Sequence, residues 1–125
     1  MAKFVHDDAL DAALAYIRDN ANELVLLNAD PGSTYSNAHS AYALGKITVD
    51  SSDFTIANGD SSGRKITVTA QSSIGIGTTG NCNHIAINDT DNSKVLLVTT
   101  VTSQAVTSGN AASTNAFDDE IADAS

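Results

Sequence analysis

A mainly β fold, an antiparallel β-sandwich or small barrel with one N-terminal amphipathic helix, is what this sequence predicts. Three observations predict it. Short stretches alternate in polarity as strands half-buried on one face must: Arg64-Lys65-Ile66-Thr67-Val68-Thr69-Ala70, His84-Ile85-Ala86-Ile87 and Val95-Leu96-Leu97-Val98-Thr99-Thr100-Val101. Turn formers separate them, at Asn58-Gly59-Asp60, Ser62-Gly63, Asp89-Thr90-Asp91-Asn92 and Ser108-Gly109-Asn110. The length, 125 residues, suits one domain with a modest core.

Residues 7–21 form the one convincing helix. Leu10, Ala13, Leu14 and Ile17 recur at helical spacing, and Ala21 extends the stripe. Asp7 or Asp8 is the expected N-cap, Asp11 adds negative charge to the first turn, and Phe4 or Val5 staples the start from outside. Asn20-Ala21-Asn22 supplies the stop. A stripe this narrow and rich in Ala fits a helix lying flat on a sheet or on a neighbouring subunit.

Glu23-Leu24-Val25-Leu26-Leu27-Asn28 reads as a short buried strand. Residues 29–43 differ: they hold the only proline and are mostly turn formers and small polar residues. Tyr35, His39 and Tyr42 lie in or beside this stretch. It reads either as an arm that contacts a partner or as a crossover with its tyrosines tucked onto the core. A β-rich body follows over 44–121, with strands at 44–49, 53–57, 64–71, 82–88, 94–101 and 113–121, and a less regular candidate at 103–107. Asn88–Ser93 closes a hairpin between the His84 and Val95 strands. This spacing suits a sandwich or barrel with the helix outside or at one end. Residues 122–125 form an acidic tail end.

With three Phe, three Tyr and no Trp, the core must be built from Val, Ile, Leu and Ala. Each such side chain contributes about 1.5–3 kcal/mol when fully buried. The formal charge is −9, and the basic residues are scattered at Lys3, Arg18, Lys46, Arg64, Lys65 and Lys94. No basic stripe exists to neutralise phosphates, so neither nucleic acid nor an anionic membrane is an expected partner. The acidity either keeps an exposed protein soluble or complements a basic partner surface. No secretion signal opens the chain and no apolar run is long enough to span a bilayer, so synthesis in a cytoplasm is expected.

Each motif that resembles chemistry lacks a necessary part. Cys82 is the only cysteine, which excludes an intramolecular disulfide, and strand alternation puts it on one face with His84. A tetrahedral zinc site needs more ligands than this pair supplies. Gly75-Ile76-Gly77-Thr78-Thr79-Gly80 has no Lys and precedes a strand, unlike a phosphate loop; its glycines serve a tight loop or a close subunit approach. His6, His39 and His84 have no nucleophile elbow beside them. Asp89-x-Asp91-Asn92 and Asp118-Asp119-Glu120 lack the Gly and Glu of a full calcium loop. The expectation is no enzyme, no cofactor and no metal.

Several segments carry a resemblance in order along the chain. They are Leu10-Asp11-Ala12-Ala13-Leu14-Ala15-Tyr16-Ile17, the link Tyr35-Ser36-Asn37-Ala38-His39-Ser40-Ala41-Tyr42-Ala43-Leu44-Gly45, and Gly63-Arg64-Lys65-Ile66-Thr67-Val68. His84-Ile85-Ala86-Ile87-Asn88-Asp89, a Val-Leu-Leu strand, Ser108-Gly109-Asn110 and Phe117-Asp118-Asp119-Glu120-Ile121 complete the set. Over nearly its whole length the chain resembles a family of small virion proteins of tailed bacteriophages. The motifs are fold-like, so the resemblance implies a virion setting more strongly than a task. Size, acidity and strand content then favour a head decoration, or cement, protein. It would bind the major capsid protein on the outside of the head, bridge neighbouring subunits, and sit as a homo-oligomer, a trimer at local threefold axes. The expected contact residues are Phe4, Val5, Leu10, Leu14 and Ile17 of the helix and its lead-in, with Tyr35, His39 and Tyr42 of the loop. The alternative is a tail- or fibre-associated module that binds the host through exposed tyrosines.

Overall fold

The computed structural model describes residues 5–121, which form two antiparallel sheets and one helix. Helix α1 spans Asp7–Asn20. Its N-cap is His6, whose Nδ1 accepts the Asp8 N–H at 3.0 Å. Asp7 and Asp8, expected as caps, are first-turn residues whose charge favours the positive end of the helix dipole. The chain leaves the helix at Ala21, and Asn22 anchors it by a paired contact with Thr90: Oδ1 accepts its N–H at 2.9 Å and Nδ2 donates to its hydroxyl at 2.8 Å.

Nine strands follow: β1 Glu23–Leu27, β2 Ala43–Thr48, β3 Phe54–Asn58, β4 Arg64–Val68, β5 Gln71–Ile76, β6 Gly80–Asp89, β7 Lys94–Val106, β8 Ala111–Thr114 and β9 Phe117–Ile121. One sheet has the order β7-β6-β1-β2-β5-β8 and curls into a half-barrel; the other is β3-β4-β9. This is the mainly β, one-helix architecture that the alternation predicts. β1 lies between β6 and β2, with Leu24 opposite both Ile47 and Ile87, and all five of its residues are buried. A strand covered on both faces reads as a continuous apolar run, which is why Leu24-Val25-Leu26-Leu27 shows no alternation.

The inner face of the half-barrel packs on the second sheet and the helix. Leu24, Leu26, Leu44, Ile74, Ile85 and Ile87 meet Phe54, Ile66 and Val68 from the second sheet and Leu14 from α1. These small and branched side chains replace the missing aromatic core.

Three strand boundaries differ from the sequence expectation. Residues 64–71 are not one strand: the chain turns a corner after Val68 and resumes as β5 in the other sheet. Asp53 holds that corner. Its backbone carbonyl accepts the Thr69 N–H at 2.9 Å, and its Oδ1 accepts from Gln71 Nε2 at 3.1 Å and from the Thr69 hydroxyl at 3.2 Å. The stretches 94–101 and 103–107 merge into β7, bent by register shifts against β6. The stretch 113–121 divides at Asn115-Ala116 into β8 and β9, which serve different sheets.

The glycine-rich stretch begins at the end of β5, whose pairing with β2 brings Gly75 against Gly45 of the same chain. A Cβ on Gly45 of β2 would lie 2.5 Å from the carbonyl oxygen of Gly75 in β5, so this pairing requires glycine. At the following corner the N–H groups of Gly77 and Thr78 both donate to Leu44 O, at 2.8 and 3.1 Å.

Candidate partner-binding surface

The outer face of the half-barrel is where two of the three loop residues predicted for partner contact come together. On β1, Glu23, Val25 and Leu27 point outward; their cross-strand partners are Asn88, Ala86 and His84 on β6, with Lys46 of β2 beside Val25. Val25, Leu27 and Ala86 form a small second cluster with Ala38, and Tyr42, Ala43, Val95 and Val98 pack around it. The cover is the segment between β1 and β2. Asp30 Oδ1 accepts the Gly32 N–H at 2.8 Å, and Gly32 takes φ +59°, which glycine adopts without strain. One turn of π-helix, Asn37–Ala41, then lays Ala38 on the sheet with no exposure, and the Asn28 N–H donates to Tyr42 O at 3.1 Å as the chain returns.

A polar cluster fastens this cover. The nearly buried carboxylate of Glu23 accepts at Oε1 from His39 Nδ1 at 2.8 Å and from Asn88 Nδ2 at 3.1 Å. A carboxylate only accepts, so the bond places a hydrogen on His39 Nδ1. Asn88, with no exposure, also reaches Ala38 O at 3.4 Å, and Lys46 Nζ donates to His39 O at 2.8 Å. Tyr35 stacks on the His39 ring, centroids 5.0 Å apart and planes within 10°. Burial pushes the Tyr35 phenol above its ordinary pKa, and the charges of Glu23 and Asp89 push it the same way.

The predicted contact residues therefore separate into two groups. Tyr35 and His39 share a half-exposed stack on the outer face, and Tyr42 is tucked into the cluster beneath it. The segment runs as a crossover, with Tyr42 tucked onto the sheet and Tyr35 on its outside rather than tucked with it. Leu10 and Leu14 are 6% and 2% exposed and Ile17 packs in part on the inner core, while Ala13 of the same stripe is exposed. Burial removes Leu10 and Leu14 from a partner surface and leaves Ile17 partly exposed at its edge. Val5 is exposed ahead of the helix. Phe4 and the acidic end 122–125 lie outside the described residues.

The remaining motifs take structural places. Cys82 faces the inner core while His84 lies opposite Leu27 on the outer face, because the register shifts between them; strand alternation had put them together. Burial raises the Cys82 thiol pKa, which keeps it protonated and unreactive. Asp89 is 1% exposed and closes the β6–β7 hairpin. Its Oδ1 accepts the N–H groups of Asp91 and Asn92 at 3.1 and 3.2 Å, and its Oδ2 accepts from Asn92 Nδ2 at 2.8 Å. Asp118 pairs with Lys65 at 3.3 Å on the face of β4 and β9, and Glu120 accepts the Asp60 N–H. Among the described residues no group of three or more His, Cys, Asp or Glu is placed to hold a metal ion, and no helix is long and apolar enough to cross a membrane.

Charge is distributed unevenly over this scaffold. Around β4, Arg64 meets Asp11 at 2.6 Å and Lys65 meets Asp60 at 2.7 Å, with Asp7 and Asp8 acting on Arg64 from further away. Residues 92–117, which build β7 and β8, contain Lys94 and neither Asp nor Glu. The two edges of the half-barrel face each other there across a cleft of about 350 Å³. Its floor is Leu26, Cys82 and Ile85, and its walls include Thr102, Gln104 and Thr114. The molecule has an acidic end and a rim without acids. Comparison with protein-family models, with curated proteins and with solved structures finds no match.

Proposed function

We propose that this chain is a structural virion protein that decorates a bacteriophage head, binding the major capsid protein from outside and stabilising the boundaries between its subunits. The observation that carries the reading is the build of the outer face. A β scaffold presents a stacked Tyr35–His39 pair on a cover held to the sheet by packing and a polar cluster, beside a rim without acids. Such a surface binds by area and shape. The acidic face around β4 remains in solvent, where it keeps a protein present in many copies from aggregating. Many weak contacts of this kind sum through multivalency on a symmetric shell.

Deleting residues 33–40 is a poor test, because it strips the cover from Val25 and Leu27 and unfolds the outer face. Tyr35→Ala leaves Ala38, His39 and Asn88 in place. The test is cryo-electron microscopy of particles of the phage that encodes the chain, assembled with wild type or with Tyr35→Ala. Density for this fold at many symmetric positions on the capsid exterior, with lower occupancy for Tyr35→Ala, is the expected result. Density confined to the tail would overturn the reading in favour of host binding.

A further inference from the structure

We infer that the free edge of β7 pairs two copies of this chain through a two-fold, edge-to-edge antiparallel contact. This inference does not rest on the capsid reading.

β7 is the longest strand, 13 residues, and it terminates its sheet. One row of its N–H and C=O groups therefore has no ladder partner. Exposed edges of this length are templates for strand pairing, and proteins usually blunt them with charge, proline or brevity. From Val95 to Val106 the edge has no charge and no proline, and it is rich in Val and Thr, which favour strands. Its blunting consists of Lys94 at one end and the two register shifts. Those shifts flank a regular stretch, Leu97–Thr100, which pairs without interruption on Ile87–His84 of β6. The outer edge is regular there, and a register shift interrupts it on each side.

Charge selects the edge at which two copies can pair. Copies of a chain with a net charge of −9 repel one another wherever their acidic ends approach. Of the free strand edges, β9 carries Asp118, Asp119 and Glu120 and β3 runs between Asp53 and Asp60, whereas the β7–β8 rim is built from residues 92–117, which carry no acid. A two-fold axis beside Val98 or Thr99, at the middle of the regular stretch, makes the contact self-complementary. It sets aliphatic and threonine side chains of one copy against those of the other and leaves each Lys94 far from its mate. Four to six paired residues is a short ladder, so the pair forms in proportion to concentration.

The test is sedimentation of the full chain over a range of concentrations, with circular dichroism as the check on folding. Thr100 is exposed, so Thr100→Lys and Thr100→Glu leave the core intact. The expected result is a concentration-dependent dimer for wild type, monomers for each variant alone, and recovery of a dimer when the two variants are mixed. A wild type that stays monomeric at every concentration would overturn the inference and leave the edge for a strand of another protein. A dimer or larger assembly that persists in Thr100→Lys alone would overturn it too, by placing the contact elsewhere.

Discussion

The two faces of the six-stranded sheet are closed by different chemistry. On the inner face, Leu24, Leu26, Ile85 and Ile87 interlock with a second sheet and a helix through apolar side chains. On the outer face, Val25, Leu27 and Ala86 are covered by a single turn of π-helix, fastened by Glu23, His39 and Asn88. An aliphatic layer tolerates imprecision, because many contacts share its energy. A polar fastening does not, because each buried donor or acceptor that loses its partner costs its desolvation penalty. The inner face sets whether the chain folds; the outer face sets the shape it presents.

Substitutions on one face or the other break this comparison in order of size. Leu24→Ala, at a site with no exposure and neighbours from both sheets, should cost about 2–5 kcal/mol in chemical denaturation. Glu23→Ala removes the acceptor shared by His39 and Asn88 and should cost about 1–3 kcal/mol by the same measurement. A loss as large as that of Leu24→Ala would mean the two faces are not distinct. Asp53→Asn should have the smallest effect at neutral pH and a characteristic dependence on acid. Burial raises the pKa of Asp53, but hydrogen bonds from the Asp50 backbone, Gln71 and Thr69 outweigh it and hold the carboxyl below its ordinary 3.8. A carboxylate depressed in this way contributes its full stability above the unfolded value and loses it as pH falls through the folded value. The gap in stability between wild type and Asp53→Asn should therefore be constant above pH 5 and close below about pH 4. A gap that does not change with pH would place the effect of Asp53 in packing.

The same difference explains what the sequence disclosed. Alternation and helical spacing report which side of an element is apolar, and they located α1, β1 and most strands from residues adjacent in sequence. They also gave the stripe Leu10, Leu14 and Ile17, but an apolar stripe that packs on its own sheet looks the same as one awaiting a partner. Only the position of β3 and β4 against the helix decides it. Glu23 and Asn88 were missed because they lie 65 residues apart and are joined by the pairing of β1 with β6. One local signal existed: a lone Glu opening a run as apolar as Leu24-Val25-Leu26-Leu27 must find a partner if it is buried. The corner after Val68 was hidden because Thr69-Ala70 continue the alternation, while the turn is fixed by Asp53, 16 residues earlier.

The polar fastening of the outer face is tested most directly by hydrogen exchange on wild type and Glu23→Ala, residue by residue. The cover should open in the variant while the sheet stays closed: the Ala38 and Tyr42 amides, bonded to Thr34 O and Asn37 O, lose protection, and those of β1 and β6 keep theirs. Equal loss of protection in the cover and in β6, or no loss in either, would contradict it.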